Sequence, residues 1–337
     1  MRLHRAGKLL ILAVWLLNAT GCVATSNSNP ASNPASNSAL APWPIDPPAR
    51  PIWPGKPPGV QQPVTTPSVT ERSEPPALRD RYMLGITDPQ LYVFPADRPN
   101  GSAMLVIPGG GYKWVVMDKE GFELGQWLAE RGITAFVLMY RLPGEHGSAG
   151  PDTPLQDTQR AVRWIRFHAE EFALDPQKLG VIGFSAGGHA AASLITRSGD
   201  VVYPPVDAVD ELSARPDFAA LIYPVISMRD GLAHAGSREQ LLGPDYSDAD
   251  ITAHSPEQNV LPHTPPVFLL HADDDAAVPV GNSRVMYESL RAAGVRAELH
   301  IYPDGGHGFG LRYIKGTSVA EWPQLLESWI RLQAQAD

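Results

Sequence analysis

Gly183-Phe184-Ser185-Ala186-Gly187 is preceded by Leu179-Gly180-Val181-Ile182 and followed by Gly188-His189-Ala190-Ala191-Ala192-Ser193-Leu194-Ile195. The first flank reads as a short buried strand and the second as a helix rich in small residues. A serine on the sharp turn between such elements is a nucleophile elbow, which lifts Oγ into a cleft. Side chains in place of the flanking glycines would collide with the neighbouring strand and helix. A bare G-x-S-x-G also arises by chance, so its weight comes from the elements around it and from partners downstream.

Working outward, short and nearly continuous apolar runs occur at residues 104–107, 134–138, 179–182, 219–223, 267–270 and 297–301. Runs of this kind suit strands buried on both faces of a parallel sheet. Helical patterns lie between them, at residues 120–131, 154–171, 188–197, 282–293 and 322–335. Trp164, Ile165 and Phe167 recur with Ala161 and Val162 and read as a core-facing stripe. Strand and helix alternate over about 260 residues, which predicts one doubly wound α/β domain spanning residues 78–337.

The first 77 residues have a different texture. Arg2, Arg5 and Lys8 precede the apolar residues 9–17 and then Asn18-Ala19-Thr20-Gly21-Cys22. The apolar run is shorter than the ~20 residues needed to span a bilayer, so residues 1–21 read as a signal peptide. Cys22 is the only cysteine. Directly after Gly21 it resembles the acceptor of a bacterial lipobox, although Ala19 stands where leucine is usual. The expectation is a diacylated Cys22, with Val23 matching cargo sorted to the outer membrane; ordinary secretion is the alternative. With one cysteine, no intrachain disulfide holds the fold.

Residues 22–77 read as a linker. Asn29-Pro30-Ala31-Ser32 repeats as Asn33-Pro34-Ala35-Ser36, and prolines recur up to Pro76. Without apolar periodicity such a stretch buries no core and favours an extended, semi-rigid spacer. Trp43 and Trp53 are unusual in a spacer, and either pack on the domain or touch a sugar polymer. The chain carries 27 Lys+Arg against 36 Asp+Glu, a net charge of −9 that becomes −12 without the three cations of residues 1–21. That balance, with no basic stripe, disfavours nucleic acid as a partner.

Three further segments carry chemistry. Ile107-Pro108-Gly109-Gly110-Gly111-Tyr112 follows a strand, and its glycines let backbone N–H groups face a cleft as an oxyanion hole requires. Gly109, Gly110 and Ala186 are the candidate donors. The spacing fits neither G-x-G-x-x-G nor a P-loop. His271-Ala272-Asp273-Asp274-Asp275-Ala276-Ala277-Val278 ends a late strand. Its carboxylates suit a cation or, better, the acid that Ser185 needs. Asp275 is preferred over Asp274 because Val278 completes an Asp-x-x-Val register. Gly305-Gly306-His307-Gly308-Phe309-Gly310 follows the last strand, and of ten histidines only His307 lies in such a loop. His189 reads as structural. Ser185, Asp275 and His307 thus occur in the chain order nucleophile, acid, base.

Residues 154–163, 182–189, 264–271, 278–283 and 305–310 together resemble bacterial α/β-hydrolases of the acetyl-xylan-esterase-like, carbohydrate-esterase group related to prolyl oligopeptidases. The resemblance covers residues 80–335. It implies an α/β-hydrolase fold and hydrolysis of acetyl esters on plant polysaccharide or oligosaccharide. No metal or organic cofactor is implied, and a membrane is met only through the lipid anchor. A short-chain or feruloyl esterase, a serine peptidase, and a non-catalytic binding protein on the same scaffold are the alternatives. Pro108 stands where hormone-sensitive-lipase relatives carry histidine, and Gly281 where many members of the group carry glutamate. Residues 144–152, 198–215 and 227–262 are the segments expected to cap the cleft.

Overall fold

A computed structural model describes residues 46–59, 66–74, 77–145 and 150–335. The leader-like residues 1–21, Cys22, the Asn-Pro-Ala-Ser repeats and Trp43 lie outside the described residues.

In chain order the elements are β1 (Ala49–Pro51), β2 (Ser68–Glu71), β3 (Arg81–Leu84), β4 (Gln90–Phe94), β5 (Ala103–Ile107), β6 (Val115–Val116), α1 (Glu123–Ala129) and β7 (Thr134–Met139). There follow α2 (Thr153–Phe167), β8 (Leu179–Phe184), α3 (Ser185–Arg197), β9 (Phe218–Ile222), α4 (Ala235–Leu242) and α5 (Asp248–Ala253). The chain continues through β10 (Val267–Ala272), α6 (Gly281–Ala292), β11 (Ala297–Tyr302) and α7 (Trp322–Ala334).

Eight strands form the main sheet in the order β1-β4-β7-β5-β8-β9-β10-β11, and β2, β3 and β6 form a small antiparallel sheet. The main sheet is parallel from β7 to β11, with β4 and β1 added antiparallel at one edge. Every residue of β5, β7, β8, β9 and β10 is buried, as the continuous apolar runs require of strands covered on both faces. The fold is the expected α/β-hydrolase arrangement.

The strand order sets the place of the site. From β5 the chain first steps to β7 on one side and then crosses back to β8 on the other. Loops leaving the carboxyl ends of β5 and β8 therefore diverge and open a crevice at this switch point. Ile107 and Gly183, the last paired residues of those strands, lie side by side. The glycine loop and the serine turn are thereby brought together.

The domain begins well before residue 78, which corrects the expected linker boundary. β1 pairs with β4, and Ile52 and Trp53 are 1% and 4% exposed. Trp53 Nε1 donates to Asp157 Oδ1 at 2.9 Å, and Arg160 Nε donates to the carbonyl of Ile52 at 2.7 Å. Proline-rich sequence hides such a strand because it lacks apolar periodicity. At a sheet edge, however, Pro51 has no ladder hydrogen bond to lose. Phe167 also departs from expectation, being 52% exposed. It lies two residues beyond buried Ile165, about 200° round the helix, and so off the stripe.

Candidate active site

Ser185 is the first residue of α3 and has φ of +52°, a left-handed conformation that a residue with a Cβ rarely adopts. The turn holds because backbone packs tightly on both sides of it. A Cβ at Gly183 would stand 2.3 Å from the Gly187 carbonyl oxygen, and one at Gly187 2.2 Å from that of Ile107.

His307 Nε2 lies 2.9 Å from Ser185 Oγ, and His307 Nδ1 lies 2.6 Å from Asp275 Oδ2. Asp275 Oδ1 accepts the N–H groups of Ala277 and Val278, at 2.9 and 2.8 Å. Burial pushes the Asp275 carboxyl up, but hydrogen bonds from His271 and His307, the His307 charge and the Val278 N–H together hold it well below the usual carboxylate range. The Asp275 carboxylate accepts a hydrogen bond from the Nδ1–H of His307, which leaves Nε2 to accept from Ser185.

The three carboxylates after β10 part company. Asp273 pairs with Arg284, while Asp274 accepts the Gly306 N–H at 2.8 Å and so braces the loop that carries the histidine. Asp275 alone meets the His307 ring.

In the glycine loop the Pro108 carbonyl and both backbone groups of Gly109 are tied down. The Pro108 carbonyl accepts from Tyr140 Oη at 2.9 Å, and the Gly109 carbonyl accepts from Val116 N–H at 3.0 Å. The Gly109 N–H donates to buried Glu120 Oε2 at 2.9 Å. Gly109 is therefore removed from the expected oxyanion donors, because its N–H already donates to an adjacent carboxylate. Among the described residues the Gly110 N–H has no acceptor; Gly110 has φ of +130° and lines the cleft. Ala186 sits in the first turn of α3, where backbone N–H groups lack intrahelical acceptors.

These residues border a cleft of about 410 Å³. Its lining includes Lys113, Trp114 and Lys119 and, from α4 and its N-cap, Glu239, Gln240 and His234. None of these residues is singled out by the sequence pattern, since a half-buried tryptophan or a cap histidine has no spacing signature. His234 caps α4, accepting from Ser237 N–H at 3.1 Å. Burial and the nearby His307 charge both lower its pKa.

Of the three segments expected to cap the cleft, only 227–262 supplies a wall. Residues 198–215 pack instead on α2, where Asp207 and Asp210 pair with Arg160 and Tyr203 meets Arg163. Residues 144–145 and 150–152 do not line the cleft. His189 is buried away from it, with Nδ1 2.7 Å from Tyr112 Oη and Nε2 2.8 Å from the His254 carbonyl. Burial pushes its pKa down to about 4. It is a neutral bridge within the packing.

Residues 90–290 match the family described as BD-FAE. The chain is 35% identical over 261 residues to an acetylxylan esterase of Xylanibacter ruminicola, covering 74% of this chain and 50% of that protein. It is 37% identical over 222 residues to endo-1,4-beta-xylanase B of Butyrivibrio fibrisolvens, covering 65% and 34%. The chain thus spans half or less of these two curated relatives. Among solved structures, an acetyl ester-xyloside bifunctional hydrolase from Caldicellulosiruptor lactoaceticus matches with a TM-score of 0.69 and 35% identity, over 88% of this chain and 98% of that one.

Proposed function

The chain belongs to the BD-FAE family and has the α/β-hydrolase fold, and from that premise we propose that it is a serine esterase removing acetyl groups from xylan or its oligosaccharides. One observation carries the reading: Ser185, His307 and Asp275 form a continuous hydrogen-bonded chain in a cleft at the carboxyl ends of the strands. The similarity to an acetylxylan esterase and to an acetyl ester-xyloside hydrolase supports the choice of ester.

The mechanism follows from the geometry. His307 Nε2 removes the Ser185 proton as Oγ attacks the acetyl carbonyl carbon. Asp275 keeps the imidazole in the tautomer that accepts at Nε2 and stabilises the imidazolium that forms. Gly110 and Ala186 N–H groups receive the negative charge on the tetrahedral oxygen, each such donor contributing about 3–4 kcal/mol. His307 then protonates the departing sugar oxygen. Water, deprotonated by the same histidine, releases acetate and restores Ser185. A cleft of about 410 Å³ exceeds what an acetyl group fills and has room for a sugar ring beside it. Trp114 offers that ring an apolar face, and Glu239 and Gln240 offer hydrogen bonds from α4.

The test is acetate release from acetylated xylooligosaccharides, with a Ser185→Ala variant as control. Release that vanishes in the variant supports the reading. Turnover confined to long-chain lipid esters, feruloyl esters or peptides overturns the substrate, and turnover retained without Ser185 overturns the nucleophile.

Residues 1–22 support a second part of the proposal, an envelope lipoprotein held at a membrane by a diacylated Cys22, with a proline-rich tether before the domain. Metabolic labelling with a palmitate analogue tests it. A Cys22→Ala variant that still sediments with membranes overturns it.

A further inference from the structure

Glu120 is a buried carboxylate, 3% exposed, that lines the cleft and hydrogen-bonds to neither Ser185 nor His307. It sits in a single π-helical turn, Asp118–Phe122, between β6 and α1. Such turns insert one extra residue and are frequent at functional sites. Both of its oxygens are engaged, and by different parts of the site. Oε2 accepts the Gly109 N–H of the glycine loop at 2.9 Å, and Oε1 accepts the Tyr223 hydroxyl at 3.1 Å. The same hydroxyl accepts the N–H of Gly310, three residues beyond His307, at 3.1 Å. Tyr223 also packs edge-on against the His307 ring, with centroids 5.0 Å apart.

Tyr223 holds this position at φ of +37°, a strained value for a residue with a Cβ. Its backbone N–H donates to the Leu270 carbonyl at 2.7 Å, at the edge of the main sheet's parallel ladder. Gly310 is fixed from the other side, its carbonyl accepting from Trp322 Nε1 at 2.9 Å. The run Gly109–Glu120–Tyr223–Gly310 is therefore a buried polar bridge. It joins the loop that would bind the oxyanion to the loop that carries the base.

We infer that Glu120 is a positioning residue for ester cleavage, setting through Gly109 and Tyr223 the relative placement of the Gly110 N–H and His307. The inference rests on the esterase reading of the cleft. By holding the Gly109 N–H, Glu120 turns the preceding peptide away from the cleft and leaves the next N–H, that of Gly110, as the loop's donor. An apolar side chain here would fill the space but leave the Gly109 N–H and the Tyr223 hydroxyl buried without partners.

The test compares Glu120→Ala, Glu120→Gln and Tyr223→Phe in the full chain. p-Nitrophenyl acetate is the substrate and phenylboronic acid the tetrahedral mimic. In Glu120→Ala, kcat falls about a hundredfold, the scale of loss for a displacement near 1 Å, while KM stays within about threefold. Affinity for phenylboronic acid falls in parallel with kcat. Amide hydrogen exchange quickens in both residues 108–112 and residues 308–311. Glu120→Gln still accepts from Gly109 and regains most of the lost kcat. Tyr223→Phe quickens exchange at residues 308–311 but not at residues 108–112.

Wild-type kcat in Glu120→Ala overturns the inference. So does a change of exchange in one loop only, or a lower melting temperature with unaltered turnover per titrated serine. Because exchange reads the bridge without turnover, its result is separate from that of the wild-type acetate-release assay.

Discussion

The indole of Trp53 donates to Oδ1 of Asp157, 104 positions away in the chain, at 2.9 Å. Asp157 is fully buried and simultaneously holds the guanidinium and backbone N–H of Arg141, itself fully buried at the end of β7. Arg141 in turn donates to the Pro58 carbonyl at 2.6 Å. The proline-rich segment thus closes over a buried ion pair and supplies it with partners.

Trp53→Ala should cost about 3–5 kcal/mol, the range for removing a buried aromatic side chain, because it opens a cavity and strips a partner from Asp157. Urea unfolding measures this. Trp53→Phe should recover most of the packing but not the hydrogen bond. A loss below about 1 kcal/mol for Trp53→Ala would mean that residues 46–59 unfold apart from the domain.

Asp275→Asn should lower kcat about 10⁴-fold with the fold intact, since the amide favours the wrong imidazole tautomer. Asp274→Asn should cost far less, because Asp274 accepts a loop N–H and does not meet His307. Steady-state kinetics on p-nitrophenyl acetate separate the two. Equal losses would show that loop bracing matters as much as orientation of the base.

His189 makes stability depend on pH. Its folded pKa, about 4, lies below the ordinary histidine value, so the unfolded chain binds more protons between about pH 6.5 and 4. The stabilisation is fully present above pH 6.5 and is lost as the pH falls through 4, amounting to about 3 kcal/mol. Urea midpoints across this window should show the slope in the wild type, and His189→Gln should flatten it. An unchanged slope would assign the effect to other groups.

Trp114→Ala should raise KM for an acetylated xylooligosaccharide about tenfold more than KM for p-nitrophenyl acetate, a difference of about 1.4 kcal/mol. The expectation follows from the position of Trp114 in the lining of the cleft. Equal effects on both substrates would move the sugar contact elsewhere.

Much of the scaffold is legible along the chain because parallel strands covered on both faces leave an unambiguous signal. The runs around Val106, Val137, Val181, Ala220 and Leu269 each fall within a strand of the main sheet. Ser185, Asp275 and His307 are legible for a related reason: each follows a strand, in an order the fold dictates, and Ser185 and His307 lie beside glycines that the backbone needs. The walls of the cleft carry no such signal. Trp114, Glu239 and Gln240 share the cleft lining with Ser185 only because the segments that carry them pack there.

The alternation of strand and helix, the serine turn and the chain order of the residues that meet there are written in local conformation and apolar spacing. Tertiary structure decided which groups are free to act. It directed the Gly109 N–H to Glu120 and left that of Gly110 without an acceptor among the described residues; it gave His307 to Asp275 and the Gly306 N–H to Asp274. It also drew Trp53 out of an apparent spacer and into the interior. These choices rest on contacts between residues far apart in the chain, where a buried donor takes whichever acceptor the packing brings within about 3 Å.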